Sequence, residues 1–259
     1  MGKVFLVGAG PGDPELLTLK ALRLLQRADV VLHDGLVTPE ILDLIGPEAR
    51  VIDIGKRCGQ KLLTQDEINS LLISSARDLD CVVRLKGGDP SIFGRAGEEI
   101  EALTAAEVAY EIVPGITSAL AAAAAAGISL TDRRFASSVV LATAHRGTGQ
   151  DAVEWDRLVN SGSTLAIYMP GTDYAQLSAS LTVAGLDRQT PCAVVSCIGR
   201  KDEQVLWATV ASLARCSALP APAHVIVGRC ANPPERFETA SEPMRVEVEL
   251  RPVSGTRLT

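Results

Sequence analysis

The first half of the chain alternates short apolar runs with longer segments whose apolar residues recur at helical spacing. Residues 3–7, 29–34, 50–54 and 81–85 form the runs, and turn residues follow most of them. This pattern is typical of buried strands. Leucines recurring through residues 16–28 predict the first helix, and a Thr-x-x-Glu capping box at residues 64–67 predicts the start of another. Alternating strands and helices predict an α/β domain with a parallel sheet.

The second half alternates in the same way after Pro114 and Gly115 interrupt the pattern and an alanine-rich helix begins. Strands are predicted at residues 137–142, 164–169, 192–197, 204–209 and 224–228, in a sheet of mixed direction. We therefore expect an N-terminal αβα domain over 1–114, a C-terminal αβα domain over 115–238 and a polar tail over 239–259. Residues 245–250 of this tail alternate, as an edge strand would.

Residues 84–99 form the most glycine-rich loop of the chain and join a predicted strand to a predicted helix. Gly87 and Gly88 are expected to adopt positive φ and to let a ligand approach the main chain. In open α/β sheets, ligands bind at the carboxyl ends of the strands. The loop therefore predicts a ligand site, although a plain tight turn is the alternative.

The first loop of the chain is similar to the dinucleotide fingerprint G-x-G-x-x-G but departs from it. Pro11 has no N–H group for a pyrophosphate, and Asp13 would repel one. Asp34 lies about where a ribose-binding carboxylate would be, so an NAD-dependent oxidoreductase stays open as an alternative. The chain shows no Walker loop and no Ser/His/acid arrangement, which argues against an ATPase or a serine hydrolase.

Composition and charge argue against several kinds of partner and site. The chain has 259 residues, of which 47% are apolar and 22% charged, as in ordinary globular proteins. A net charge of −6 argues against nucleic acid or an anionic membrane as partner. Six cysteines without C-x-x-C spacing predict reduced thiols and no metal site. We expect a cytoplasmic protein, because we find neither a signal peptide nor an apolar run long enough to span a bilayer.

Several segments together resemble the uroporphyrinogen-III C-methyltransferases, members of the tetrapyrrole methylase family. The resemblance extends from about residue 3 to residue 229 and is carried by residues 7–20, 34–37, 55–57, 84–99, 113–118 and 222–228. It implies a two-domain tetrapyrrole methylase fold with the active site in the cleft between the domains, and a homodimer. It also implies transfer of two methyl groups from S-adenosylmethionine (SAM) to uroporphyrinogen III, giving precorrin-2 on the route to sirohaem and cobalamin.

The resemblance further implies which residues bind the cofactor. The implied SAM contacts are Pro11, Gly87, Gly88, Asp89, Ile92, Thr117, Ser118, Met169 and the main chain at Ala193. A core position is the alternative for Met169, because methionine often fills gaps in cores. Its place at a predicted strand end, directly before Pro170 and Gly171, favours the ligand site.

Catalytic and substrate-binding roles follow from the same resemblance. The implied catalytic residues are Asp34, Lys56, Arg95 and Glu98, and the implied substrate contacts are Arg95, Glu98, Arg133 and Met169. We interpret Arg95 as a clamp for a substrate carboxylate, because a guanidinium group stays protonated in proteins. The alternatives are a strand-end cap for Asp34 and a solvated charge for Lys56.

Three positions depart from the family pattern. Gly35 removes a possible substrate contact, Ala96 replaces a glycine and leaves a positive φ in doubt, and Asp132 adds a negative charge beside Arg133. A methylase that acts on a later precorrin therefore stays open, as does a tetrapyrrole-binding module without catalysis.

Overall fold

The computed structural model describes residues 2–57, 60–61, 63–145, 153–159, 162–233 and 244–247. The chain divides into two compact units, Met1–Ala121 and Ala122–Thr259. The division falls inside the alanine-rich helix, and the predicted domain boundary at residue 114 lies shortly before that helix. The boundaries at residues 114 and 238 stay predictions.

The first unit is built on a parallel sheet. Its strands are β1 (Lys3–Gly8), β2 (Val30–His33), β3 (Arg50–Asp53), β4 (Lys56–Arg57), β5 (Gln60–Lys61), β6 (Cys81–Lys86) and β7 (Ala109–Val113). Five of them form one sheet in the order β3-β2-β6-β1-β7, in which every neighbouring pair is parallel. The predicted parallel sheet is therefore confirmed, and β4 and β5 form a separate antiparallel ribbon.

Helices cover both faces of this sheet. They are α1 (Leu19–Arg27), α2 (Pro39–Leu42), α3 (Gln65–Asp78) and α4 (Ala96–Ala105), and α5 (Ser118–Ala126) leads into the second unit. Leucines of α1 and Ile41 of α2 pack on one face, whereas α3 and α4 pack on the other. The first helix begins later than predicted, because Pro14–Leu16 forms a short 3-10 turn and Thr18 then caps α1.

The second unit is built on a mixed sheet. Its strands are β8 (Ser138–Thr143), β9 (Ser163–Tyr168), β10 (Pro191–Ser196), β11 (Gln204–Thr209), β12 (Ala223–Val227) and β13 (Met244–Glu247). The sheet order is β13-β11-β10-β12-β9-β8, with β8 and β9 parallel and the other neighbouring pairs antiparallel. The predicted mixed sheet is confirmed, and β13 lies at its edge. Of the alternating stretch 245–250, residues 248–250 lie outside the described structure.

Within the described residues, three helices pack against this mixed sheet. They are α6 (Trp155–Leu158), α7 (Tyr174–Val183) and α8 (Val210–Leu213). Helices α6 and α8 have four residues each, which are too few to show helical periodicity in the sequence. Among the described helices, none combines the length and the apolar character that crossing a membrane requires.

Candidate active site

Three loops meet at the carboxyl edge of the parallel sheet in the first unit. Strands β6, β1 and β7 are neighbours; Gly8 ends β1, and the loops after β6 and β7 carry Gly88 and Gly115. A Cβ atom on Gly8 would lie 2.6 Å from the Gly115 main chain, and one on Gly115 would collide with the Gly88 carbonyl oxygen. A side chain at Gly8 or Gly115 would therefore force these segments apart.

A two-residue bridge joins two of these loops. The Gly88 N–H donates to the Gly10 carbonyl over 2.8 Å, and the Gly10 N–H donates to the Gly88 carbonyl over 3.1 Å. Both residues adopt the left-handed conformation, with φ of +67° and +70°. The prediction of positive φ is correct for Gly88 and wrong for Gly87, which is not among the glycines with positive φ. At Gly87 a side chain would instead be crowded by Leu36, because an added Cβ would lie 3.1 Å from the Leu36 Cβ atom.

The missing side chain of Gly88 leaves space in front of main-chain atoms. A Cβ there would lie 3.7 Å from the Ser118 nitrogen and 3.9 Å from the Thr117 Cα atom. Pro11 follows the bridged Gly10 directly. The fold therefore brings together residues that are about 100 positions apart in sequence, and it gathers several of the implied cofactor contacts at one edge of the sheet.

Asp89 ties two of the loops together. Its Oδ1 accepts a hydrogen bond from the Ser91 N–H over 2.8 Å, and its Oδ2 accepts one from the Gly115 N–H over 3.0 Å. Ile92 N–H donates to the Asp89 carbonyl and completes the turn. Asp89 therefore holds the loop after β6 against the loop after β7, while its role as a cofactor contact stays a prediction.

A pocket of about 470 Å³ lies at the same edge of the sheet. Its lining includes Asp34 after β2, Arg84 on β6 and Arg95 before α4, together with the exposed apolar side chains of Leu36 and Phe93. The pocket adjoins the glycine loops, because Leu36 also packs against Gly87. Its volume is in the range of small-molecule sites.

Behind the pocket lies a network of buried charges that the sequence analysis missed. The Glu99 Oε1 accepts hydrogen bonds from Arg84 Nε and Lys86 Nζ, each over 2.9 Å, and its Oε2 accepts another from Lys86 Nζ. Arg84 Nη2 also donates to the Asp34 Oδ1 over 2.5 Å. Arg84, Lys86 and Glu99 are at most 3% exposed, whereas the Asp34 side chain is 31% exposed. A signal for this network exists in the sequence, because Arg84 and Lys86 alternate with apolar residues in a buried strand.

The pKa values of the two cations in this network shift in opposite directions. Burial lowers the pKa of Lys86 and the nearby Arg84 charge lowers it further, although Glu99 opposes both effects. Burial also acts to lower the pKa of Arg84, but the carboxylates of Asp34 and Glu99 outweigh it and raise that pKa. Arg84 is therefore the permanent positive charge beside Asp34.

Arg95 and Glu98 pair with each other at the rim of the pocket. Arg95 Nε and Nη2 donate to the two Glu98 carboxylate oxygens over 2.7 and 2.6 Å, and both side chains are about half exposed. The hydrogen bonds that Arg95 donates to Glu98 raise the pKa of Arg95. Ala96, where a positive φ was in doubt, is the first residue of α4, and Arg95 before it adopts a φ of +57°. Lys56 lies in β4, and its side chain falls outside the described part of the structure.

The remaining implied site residues lie in the second unit. Met169 follows β9 with φ of +49° and is 46% exposed, so a core position for it is wrong. Ala193 is buried in β10 between β11 and β12, and Arg133 is exposed. These three contacts stay predictions.

Asp132 does not act as an isolated charge beside Arg133. Both of its carboxylate oxygens accept hydrogen bonds from the Arg134 side chain, over 3.0 and 2.7 Å. These bonds lower the pKa of Asp132 to about 2. The neighbouring cation therefore largely compensates the negative charge that departs from the family pattern.

Comparison with known proteins identifies the family. Residues 3–214 match the family model of the Tetrapyrrole (Corrin/Porphyrin) Methylases. The chain belongs to the tetrapyrrole methylase family. The predicted family and the predicted fold class are therefore confirmed, and the pocket described above lies within the matched residues.

Curated relatives of this methylase include siroheme synthases. Siroheme synthase 1 of Yersinia enterocolitica is 47% identical over 228 residues, and the siroheme synthase of Gluconacetobacter diazotrophicus is 48% identical over 232 residues. Each alignment covers 88% of this chain but only 48% and 49% of those proteins. The chain thus spans about half the length of the curated relatives that it matches.

Solved structures of similar proteins include two methyltransferases. A uroporphyrin-III C-methyltransferase from Thermus thermophilus, complexed with S-adenosyl homocysteine, is 38% identical with a TM-score of 0.77, covering 88% of this chain and 98% of that one. A cobalt precorrin-4 methyltransferase is 32% identical with a TM-score of 0.79, covering 89% and 96%. S-adenosyl homocysteine is what SAM becomes after it gives up its methyl group.

The hydrogen bonds of Asp89 generate a stability prediction. Asp89→Ala leaves the Gly115 N–H without its acceptor, so we expect the free energy of unfolding to fall by about 1–3 kcal/mol. Urea unfolding of both proteins measures the difference. The control is Asp187→Ala, since that carboxylate accepts a bond only within its own turn, from Gln189 N–H. Equal losses for the two variants would contradict a long-range role for Asp89.

Proposed function

We propose that this tetrapyrrole methylase transfers two methyl groups from SAM to uroporphyrinogen III and so produces precorrin-2. The main support is the arrangement at the carboxyl edge of the parallel sheet. The space beside Gly88 is lined by main-chain atoms, and it adjoins a pocket whose lining includes Asp34. Similarity to the uroporphyrin-III C-methyltransferase from Thermus thermophilus supports the substrate. We also propose a homodimer, and sedimentation equilibrium would test it.

The glycine loops fit a cofactor such as SAM. Main-chain atoms of Thr117 and Ser118 face the space that a Gly88 side chain would fill, so a ligand there contacts the backbone directly. Asp89 keeps these loops at a fixed separation through its bonds to Ser91 and Gly115. Such preorganisation lowers the entropic cost of binding.

The methyl transfer requires little chemical activation by the protein, because both reactants are already reactive. SAM supplies a sulfonium methyl group that is already electrophilic, and an electron-rich pyrrole carbon is already nucleophilic. Each transfer forms a carbon–carbon bond, breaks the sulfur–methyl bond with its electron pair left on sulfur, and gives a cationic macrocycle that loses one proton. Alignment of the reacting atoms can supply much of the acceleration.

Asp34 is our choice for the group that accepts this proton. Its carboxylate lines the pocket and is partly exposed there, and Arg84 holds one of its two oxygens. The other oxygen can then take up a proton from a bound macrocycle. Lys56 and Glu98 remain proposed participants on the basis of the family resemblance alone.

Arg95 is proposed to bind a carboxylate of the substrate after Glu98 leaves it. The Arg95–Glu98 pair is about half exposed, and exposed pairs of this kind contribute only about 0–1 kcal/mol. A substrate carboxylate can therefore replace Glu98 at little cost and use the same two-pronged geometry. Arg133 and Met169 are proposed as further substrate contacts.

Methylation of a later precorrin is the second candidate. The cobalt precorrin-4 methyltransferase has a TM-score of 0.79, which is as high as those of the uroporphyrin-III enzymes. Anaerobic incubation with labelled SAM and either uroporphyrinogen III or a cobalt precorrin, followed by mass spectrometry, distinguishes the two. Our proposal requires two labelled methyl groups on uroporphyrinogen III, and label on the precorrin alone would favour the second candidate.

Gly88→Val tests the cofactor site. The side chain would project toward Thr117 and Ser118, so we expect SAM affinity in calorimetry to fall at least tenfold, or roughly 1.4 kcal/mol. Gly127→Val is the matched control, because Gly127 has nearly the same φ, +66° against +67°, but no atoms within 4 Å of an added Cβ. Backbone strain is then common to both variants. Loss of SAM affinity in both, or in neither, would remove Gly88 from the cofactor site.

Asp34→Asn tests the proton acceptor. Asparagine keeps an oxygen for the hydrogen bond from Arg84 but cannot act as a base, so kcat should drop about 100-fold while SAM affinity is unchanged. Rapid-quench assays of methyl transfer measure this. Asp43→Asn, an exposed carboxylate at the end of α2, is the control and should leave kcat unchanged. Near-normal kcat in Asp34→Asn would indicate that Lys56, Glu98 or water accepts the proton instead.

A further inference from the structure

The buried charges behind the pocket call for a reason other than stability. Replacing buried ion pairs with apolar residues of similar volume is often neutral or stabilising. Nevertheless Arg84, Lys86 and Glu99 lie between β6 and α4, where Val82 and Leu103 form an apolar core. Asp34, at the end of this network, is its one partly exposed member, and it faces the pocket.

We propose that Arg84 is a positioning residue, which holds Asp34 so that the second carboxylate oxygen faces the reacting ring of the substrate. Glu99 and Lys86 in turn hold Arg84 in place. This inference rests on the proposed function, because it assigns Asp34 the role of proton acceptor. It adds three residues that the family resemblance did not single out.

The hydrogen bonds of Arg84 support this role. Its Nε donates to Glu99, its Nη1 donates to the Leu85 carbonyl over 3.1 Å, and its Nη2 donates to Asp34. Bonds from all three guanidinium nitrogens fix the plane of the group. A lysine has a single nitrogen and cannot reproduce this arrangement.

The Asp34 carboxylate is held at one oxygen only. Arg84 binds Oδ1, and within the described residues Oδ2 has no hydrogen-bond partner. The Asp34 main chain is also fixed, because its N–H donates to the Leu85 carbonyl over 3.2 Å. Asp34 is thus oriented by β6 at both its backbone and its side chain, with one oxygen left for the substrate.

Several charged or titratable groups surround Asp34, and among the side chains that the structure describes Arg84 is the one that contacts its carboxylate. On its own strand, His33 Nδ1 lies 3.0 Å from the Asp34 carbonyl oxygen. Asp53 ends β3, and Arg95 lines the pocket but pairs with Glu98. Lys86 and Glu99 lie behind Arg84 and pair with each other.

A second role for Glu99 follows from this arrangement. Its carboxylate is fully buried and balances two cations, with Lys86 bound by both oxygens. If Arg84 is replaced, Glu99 still has Lys86 as a partner, so no unpaired charge remains in the core. Arg84 variants are therefore expected to fold, and their effects can be measured on catalysis.

The test compares kcat and the KM for uroporphyrinogen III in Arg84→Met and Arg84→Lys at saturating SAM. In Arg84→Met the Asp34 carboxylate loses the hydrogen bond that orients it, so kcat should fall at least tenfold while KM stays within twofold of the parent value. Arg84→Lys keeps the charge but not the geometry. We expect its kcat also to fall about tenfold, with KM again within twofold. SAM affinity should remain within twofold in both.

Controls and outcomes separate this inference from the proposed function. Arg157→Met removes an exposed guanidinium that pairs with Glu154 in the second unit, and it should leave kcat and KM unchanged. Parental kcat in either Arg84 variant, or a KM that rises as much as kcat falls, overturns the positioning role even if the parent methylates uroporphyrinogen III. Should Arg84→Met fail to fold, the kcat of Arg84→Lys decides alone. Absence of methylation by the parent overturns the proposed function, and this inference with it.

Discussion

Close approach of main-chain segments at the carboxyl edge of the parallel sheet is the constraint on which the candidate site depends. Gly8, Gly88 and Gly115 touch through backbone atoms, and a methyl group at Gly8 or Gly115 would separate the loops. The hydrogen bonds between Gly10 and Gly88, and from Gly115 to Asp89, depend on that approach. Glycine costs conformational entropy on folding, so three such residues at one point indicate a requirement of the site.

The pocket beside these loops depends on a different interaction, the burial of charge. Glu99 pairs with two cations, and one of them, Arg84, connects the core to the partly exposed Asp34. Burying charges is costly unless each has a partner, and here each of them has one. The same contacts that satisfy the charges also restrict the orientation of the side chain at the pocket.

Two of the departures from the family pattern have smaller consequences in the folded protein than the sequence suggested. Asp132 is paired with Arg134, so its effect on a nearby anion is smaller than that of an isolated carboxylate. Ala96 occupies the first position of α4, where a methyl group favours the helix. Neither residue argues against a substrate rich in carboxylates.

The sequence by itself determined the parallel sheet, the mixed sheet and the family, because these depend on periodicity and on motifs that are contiguous along the chain. Only the tertiary structure decided that Gly88 and not Gly87 adopts positive φ, that Asp89 bonds to Gly115, and that Met169 is exposed. It also revealed the contact between Arg84 and Asp34, which lie 50 residues apart. That contact exists because β2 and β6 are neighbours in the sheet, and strand order arises from long-range packing that no local pattern records.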